Sequence, residues 1–185
     1  MSAIEIGVFA EMFQSHNRIV LLQPKSNFIS INQFKKLKIM RISYLALEAI
    51  KNFEGLRLEA YEDPAGVLTI GYGHTGSDVF EGDRISKYWA ESTLKKDVME
   101  VERQIDELGL DLTQGQLDAL VSFTFNLGID RLKSSTLLKV IKEGGSMRQI
   151  KREFKRWVHA GGQTLRGLEK RRAWEADRFF AKDEF

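Results

Sequence analysis

Between residues 53 and 76 the chain reads FEGLRLEAYEDPAGVLTIGYGHTG, and four acids, Glu54, Glu59, Glu62 and Asp63, precede a glycine-spaced run that reaches His74. Glu54 lies four residues after Ile50 and seven after Leu47, so on a helix it prolongs an apolar stripe. A carboxyl placed there is partly desolvated. Desolvation disfavours the charged form, as a general acid working near neutral pH requires. Asp63 instead opens Asp-Pro-Ala-Gly, a type I turn pattern in which backbone N–H groups and water favour the carboxylate. One acid is thereby set to give a proton and the other to take one.

On the strand expected to return from that turn, period two puts Val67, Thr69, Gly71 and Gly73 on one face and Leu68, Ile70, Tyr72 and His74 on the other. Glycines weaken a strand, so their presence points to something approaching the backbone closely, with the Thr69 hydroxyl free to orient a water. Two carboxylates astride a sugar ring, with a water held by a third group, are the constellation of an inverting glycosidase. Taken singly, each residue has an ordinary explanation: a solvated helix end, a plain turn, a hydrogen-bonded histidine. GYGH lacks the Gly-x-Gly-x-x-Gly spacing and following helix of a dinucleotide site.

The elements that must position these residues can be read from periodicity. Ile42, Leu45, Ala46, Ala49, Ile50 and Phe53 recur at helical spacing and Gly55 follows as a stop. A β-hairpin surrounds the 63–66 turn. After Gly82 the pattern is helical throughout: Ser86 to about Leu108, Thr113–Leu127, Thr136–Glu143, Ser146–Val158 and Leu165–Ala181. Ser86 and Thr113 read as N-caps and Gly109, Gly128, Gly144 and Gly161 as stops. The fold class is α+β: a small N-terminal lobe with a β-hairpin sheet, joined by a long helix to a mostly helical C-terminal lobe. Residues 1–39 sustain no period and read as a weakly structured extension. Met40 is an alternative start that would make them a gene-calling artefact, and residues 40–185 are the expected domain.

With 185 residues the chain has room for one full domain and its core. The absence of cysteine removes disulfides, thiolate metal sites and a cysteine nucleophile. His16, His74 and His159 stand alone, without metal-ligand spacing, so neither a metal nor another cofactor is expected. No apolar run reaches the roughly 18 residues of a membrane span, and Glu5 and Glu11 occupy the place of a basic signal region. The net charge of +2 conceals an asymmetry: residues 40–145 carry 12 basic against 18 acidic side chains, residues 146–185 carry 11 against 6.

The combination of Glu54, eight residues, Asp63, five residues and Thr69, set in EGLRLEAYEDPAGVLTIGYGHT, closely resembles the catalytic signature of the phage-type lysozymes, also called endolysins or muramidases, of glycoside hydrolase family 24. QLDALVSFTFNLG (116–128) is similar to that family's core helix and WVHAGGQTLRGLEKRRAWEADRF (157–179) to the approach to its C-terminal helix, so the resemblance covers about residues 40 to 182. It implies hydrolysis of the β-1,4 bond between N-acetylmuramic acid and N-acetylglucosamine in peptidoglycan. Glu54 would be the general acid, with Asp63 the second carboxylate and Thr69 helping to place the attacking water. His74 would support the glutamate from behind. Tyr61, Gly73, Phe125 and Asn126 would line the cleft between the lobes. Arg171 or Arg172 would supply a counter-charge to Glu54, opposing desolvation; the sequence does not choose between them. The resemblance further implies a monomer held in the host cytoplasm until a holin-like membrane protein opens the way to the wall.

Two other classes compete. A catalytically inactive peptidoglycan binder would retain the fold, although the intact Glu54, Asp63 and Thr69 argue against it. A cationic membrane-active protein would rely on Arg148, Lys151, Arg152, Lys155 and Arg156, which offer contact with an anionic envelope but read first as the solvated face of a helix. Nucleic acid is not an expected partner, because these residues fit no recognised motif and the Glu54 half of the domain is acidic. Trp89, Trp157 and Trp174 are expected in the core.

Overall fold

The computed structural model describes residues 40–63 and 65–182, all within one compact unit, Ile39–Phe185. The expectations on residues 1–39 lie outside the described residues. Helix α1 (Tyr44–Glu54) begins where the Ser43 hydroxyl accepts the Ala46 N–H and ends at Gly55, so Glu54 is its last residue. A three-stranded antiparallel sheet follows in the order β1 (Arg57–Glu62), β2 (Leu68–Gly71) and β3 (His74–Thr75). The long helix α2 (Lys87–Asp106), capped by Ser86, extends about 30 Å at 1.5 Å per residue. It packs against β2 and β3 and against α3 (Gln114–Leu127).

Helix α3 starts with a capping box between Thr113 and Gln116, and its residues 117–124 are all buried. Such a helix, covered all round, has to be the centre of its lobe. Around it lie α4 (Ile129–Lys133), α5 (Thr136–Lys142), α6 (Met147–Lys155) and α7 (Arg166–Arg178). Phe123 at its centre meets Phe154 and Trp157 edge-on, and Phe154 meets Phe179 in the same way. Burying a side chain of this size contributes roughly 1.5–3 kcal/mol.

The start of the domain is fastened by two buried acids. Glu102 on α2 accepts the Ile42 N–H and an Arg41 guanidinium N–H, each at 2.7 Å. Asp118 on α3 accepts from the Ser43 N–H, the Ser43 hydroxyl, Gln114 and Arg178. With both carboxylates enclosed, these bonds offset desolvation that would otherwise be costly.

Four expectations need correction. The returning strand does not run unbroken to His74: the chain turns at Tyr72–Gly73, and His74 comes back to pair with Ile70. The glycines serve that reversal, with Gly71 at φ 68° and Gly73 at φ 86°, values an L side chain rarely adopts. Gly128 is not only a stop, because α4 starts immediately after it. Between α6 and α7 a miniature hairpin, β4 (His159–Ala160) and β5 (Gln163–Thr164), turns at Gly161–Gly162, both with positive φ as a two-residue hairpin loop requires. Trp89 is also not in the core: it is 37% exposed and lies edge-on to His74.

Candidate active site

Glu54 occupies the end of α1, where the apolar stripe that buries Ala46 and Ile50 runs out. Its side chain is 20% exposed. Arg171 Nη1 of α7 donates to Glu54 Oε1 at 2.6 Å. The structure therefore resolves the choice left by the sequence: Arg171, not Arg172, meets Glu54. On the other side the β2–β3 turn passes so near that a Cβ on Gly73 would stand 3.5 Å from Glu54 Oε2. That is an ordinary van der Waals distance, so it is the positive φ of Gly73 that calls for glycine here.

Asp63 and Thr69 are joined through one residue of the first hairpin. The Val67 N–H donates to Asp63 Oδ1 at 2.9 Å, and the Ala65 N–H donates to the same oxygen at 2.8 Å. The Val67 carbonyl accepts both the Asp63 N–H and, at 2.9 Å, the Thr69 hydroxyl. Thr69 is 4% exposed and paired across the sheet with Tyr61 and Thr75. With its proton committed to Val67, the hydroxyl has lone pairs left with which to accept from a water. Tyr61 stands exposed on β1 with the Arg57 guanidinium 5.6 Å from its ring centre.

His74 sits apart from Glu54 in its hydrogen bonding. Its Nδ1 is 2.9 Å from Asp97 Oδ2 on α2, and its Nε2 is 3.3 Å from Asp78 Oδ1. Burial pushes the Asp97 carboxyl up, against the pull of its bond to His74, whereas a backbone hydrogen bond and then His74 hold Asp78 down. A histidine between two carboxylates ties the β2–β3 turn to the long helix. Phe125 and Asn126 occupy the last turn of α3; Phe125 leans on the core, and Asn126 Oδ1 accepts from Arg172 Nη2.

Sequence reasoning missed the residues behind Arg171. Arg171 Nη2 donates to the Ser122 carbonyl at 2.8 Å and Nε to Glu175 Oε1 at 3.3 Å, while the guanidinium lies over the Phe53 ring. Glu175 is completely buried and also accepts from the Ser122 hydroxyl at 2.7 Å. Its Oε2 is 2.8 Å from Arg172 Nη1, yet the two are not aligned as a hydrogen bond. The signals were a serine within the apolar LVSFTF run and an acid three and four residues after two arginines, the spacing of helical neighbours.

The basic helix α6 is largely paired within the fold. Arg152 and Arg156 meet the buried Glu153, and Lys151 meets Asp177 of α7. Its apolar members Ile150 and Phe154 are buried in the core rather than offered to a membrane.

The phage lysozyme family model matches residues 51–175. An endolysin of Bacillus phage B103 is 45% identical over 143 residues, which cover 76% of this chain and 54% of that protein. The muramidase domain of SpmX from Asticaccaulis excentricus superposes with a TM-score of 0.70 at 37% identity, over 77% of this chain and 99% of that one. An endolysin from Escherichia coli O157:H7 phage FAHEc1 does so with a TM-score of 0.68 at 38% identity, over 76% and 94%. These neighbours define a lysozyme-like α+β fold. The chain belongs to the phage lysozyme family. It spans about half the length of the Bacillus phage endolysins it matches.

Proposed function

We propose that this chain is an endolysin whose domain, residues 40–185, hydrolyses the β-1,4 bond between N-acetylmuramic acid and N-acetylglucosamine in peptidoglycan. The observation that carries the reading is the placement of Glu54: a half-buried carboxyl at a helix end, oriented by Arg171 and set against the bare backbone of Gly73. Glu54 gives its proton to the glycosidic oxygen as the bond breaks. Asp63 takes a proton from a water that Thr69 helps to place, and the water attacks the anomeric carbon from the opposite face, with inversion. The glycosidic oxygen leaves as an alcohol, and the new hydroxyl stands on the muramic acid.

The two acids suit unlike tasks because their surroundings differ. Asp63 is fastened by backbone N–H groups of its own turn, whereas Glu54 is presented by α1 to the sheet turn and α7. Tyr61 offers an exposed ring to a sugar face, and Asn126, its carbonyl occupied by Arg172, keeps its amide N–H groups for a sugar oxygen. Endolysins among its relatives support action on the wall, and a monomer released to it from the host cytoplasm by a holin-like protein completes the reading.

The test is muropeptide release from purified peptidoglycan by the wild type and Glu54→Gln, with mass spectrometry of the new reducing ends. Fragments ending in N-acetylmuramic acid from the wild type alone support the assignment. Lysis of cells by both proteins without wall cleavage would overturn it in favour of membrane action, and wall binding without cleavage in favour of an inactive binder.

A further inference from the structure

Beneath Glu54 lies more charge than a single counter-ion requires. Arg171 and Arg172 are 3% and 0% exposed, and between them Glu175 is buried as fully as any side chain in the domain. Enclosing three charged groups is expensive unless each is met by a partner. Here the meeting is specific: Glu175 Oε1 accepts from Arg171 Nε and the Ser122 hydroxyl, while Oε2 faces Arg172. Ser122 acts twice, its carbonyl taking Arg171 Nη2. Each nitrogen of Arg171 thus has one assigned acceptor: Nη1 has Glu54, Nη2 has Ser122 and Nε has Glu175. A planar guanidinium held at three points has no freedom left in its approach to Glu54.

We propose that Glu175 is a positioning residue for the reaction of Glu54: it fixes Arg171 through Nε and balances the charge of Arg172, and so sets how strongly positive the surroundings of Glu54 are. This rests on the glycosidase reading above. The charged groups concerned are Arg171, Arg172 and Glu175 on α7 and Glu54 on α1; from α3 the cluster meets the neutral Ser122 and Asn126. Lys51, one turn before Glu54, is engaged by Glu48 and Glu91. With Glu175 the two arginines face two carboxylates; without its charge they face Glu54 alone. Arg172 feels the field of Glu54 as well as that of Glu175. Burial pushes the Glu175 carboxyl up to about 7, against the pull of Arg172 and Arg171, so the charge that matters here is held only weakly.

The experiment compares the full-length wild type, Glu175→Gln and Ser122→Ala in two measurements: kcat and KM on soluble peptidoglycan fragments across pH, and the side-chain Nε–H resonance of Arg171 in 15N spectra. Above about pH 7, where the Glu175 carboxyl is ionised, Glu175→Gln is expected to lower kcat by about tenfold or more while KM stays within about twofold. The alkaline limb of its rate profile moves to lower pH, because uncompensated guanidinium charge favours the ionised over the acidic form of Glu54. The Arg171 resonance shifts. Ser122→Ala, which removes a neutral hydrogen bond to Glu175, moves kcat and the resonance in the same direction by less. A folded Glu175→Gln with wild-type kcat and an unmoved alkaline limb overturns the proposal; if that variant does not fold, wild-type behaviour of Ser122→Ala does so. Should the wild type fail to cleave peptidoglycan, the glycosidase reading fails separately. The Arg171 resonance then decides whether Glu175 holds the guanidinium, an unmoved signal counting against it.

Discussion

Arg171 Nη1 meets Glu54 Oε1 at 2.6 Å across 117 positions of sequence, joining the end of the first described helix to the last one. The contact has two consequences: the site exists only once α7 has docked, and part of the stability of α7 depends on it. Arg171→Met leaves Glu175 and Glu54 without their shared cation in a buried setting. We expect a loss of about 3–5 kcal/mol in unfolding free energy by urea titration, with Arg171→Lys recovering only part because an ammonium cannot match three fixed acceptors at once.

Stability should carry the signature of Glu175. Its carboxyl is raised from 4.5 to about 7 by burial in the folded chain, so the folded state holds a proton that the unfolded chain releases. This contribution is fully present below about pH 4.5 and is lost as pH rises through about 7. Melting temperatures measured across that window should therefore fall in the wild type relative to Glu175→Gln, which has no such proton to lose. A difference between the two proteins that grows with pH in the opposite sense would contradict the burial argument.

Gly73 and Gly66 make a matched pair. Both have positive φ, 86° and 79°, but an added Cβ would meet Glu54 only at Gly73. Each alanine substitution should cost about 1–2 kcal/mol for the backbone alone. Only Gly73→Ala should also depress muropeptide release out of proportion to its stability loss, since its methyl group would lie in van der Waals contact with the carboxyl. Equal activity in the two variants would show that the approach to Glu54 is incidental.

Asp118 accepts from the start of α1, from Gln114 and from the end of α7. Asp118→Asn replaces two of its acceptor positions by donors and leaves Arg178 without its anion. The expected cost is about 3 kcal/mol or more. Limited proteolysis should then cut near residues 40–43, which the wild type protects.

Much of the frame was legible from the sequence because its signals are local. Ser86 and Thr113 stand where they cap α2 and α3, and the apolar run from Leu117 to Phe123 marks a helix covered on every side. Ser146–Gln149 forms a second capping box before α6. The turn at Tyr72–Gly73 was hidden because alternation in VLTIGYGH continues through the reversal, and period two cannot register a change of direction. Arg171 and Arg172 are adjacent on one helix with the same chemistry, so only the packing of α7 on α3 and α1 tells which one faces Glu54. Glu175 was invisible for a related reason: an acid in EKRRAWEADR looks like one more solvated charge until the fold closes over it.

The small sheet also has closed margins. Along β1 the outer backbone groups are already taken, the Ala60 N–H by the Asp83 carbonyl and the Leu58 carbonyl by the Ile85 N–H, with an isolated bridge from Glu59 to Arg84 between them. At the far side β3 is only two residues long. Neither margin offers the row of free donors and acceptors on which another strand could grow. The domain therefore carries in its fold a safeguard against strand-by-strand aggregation.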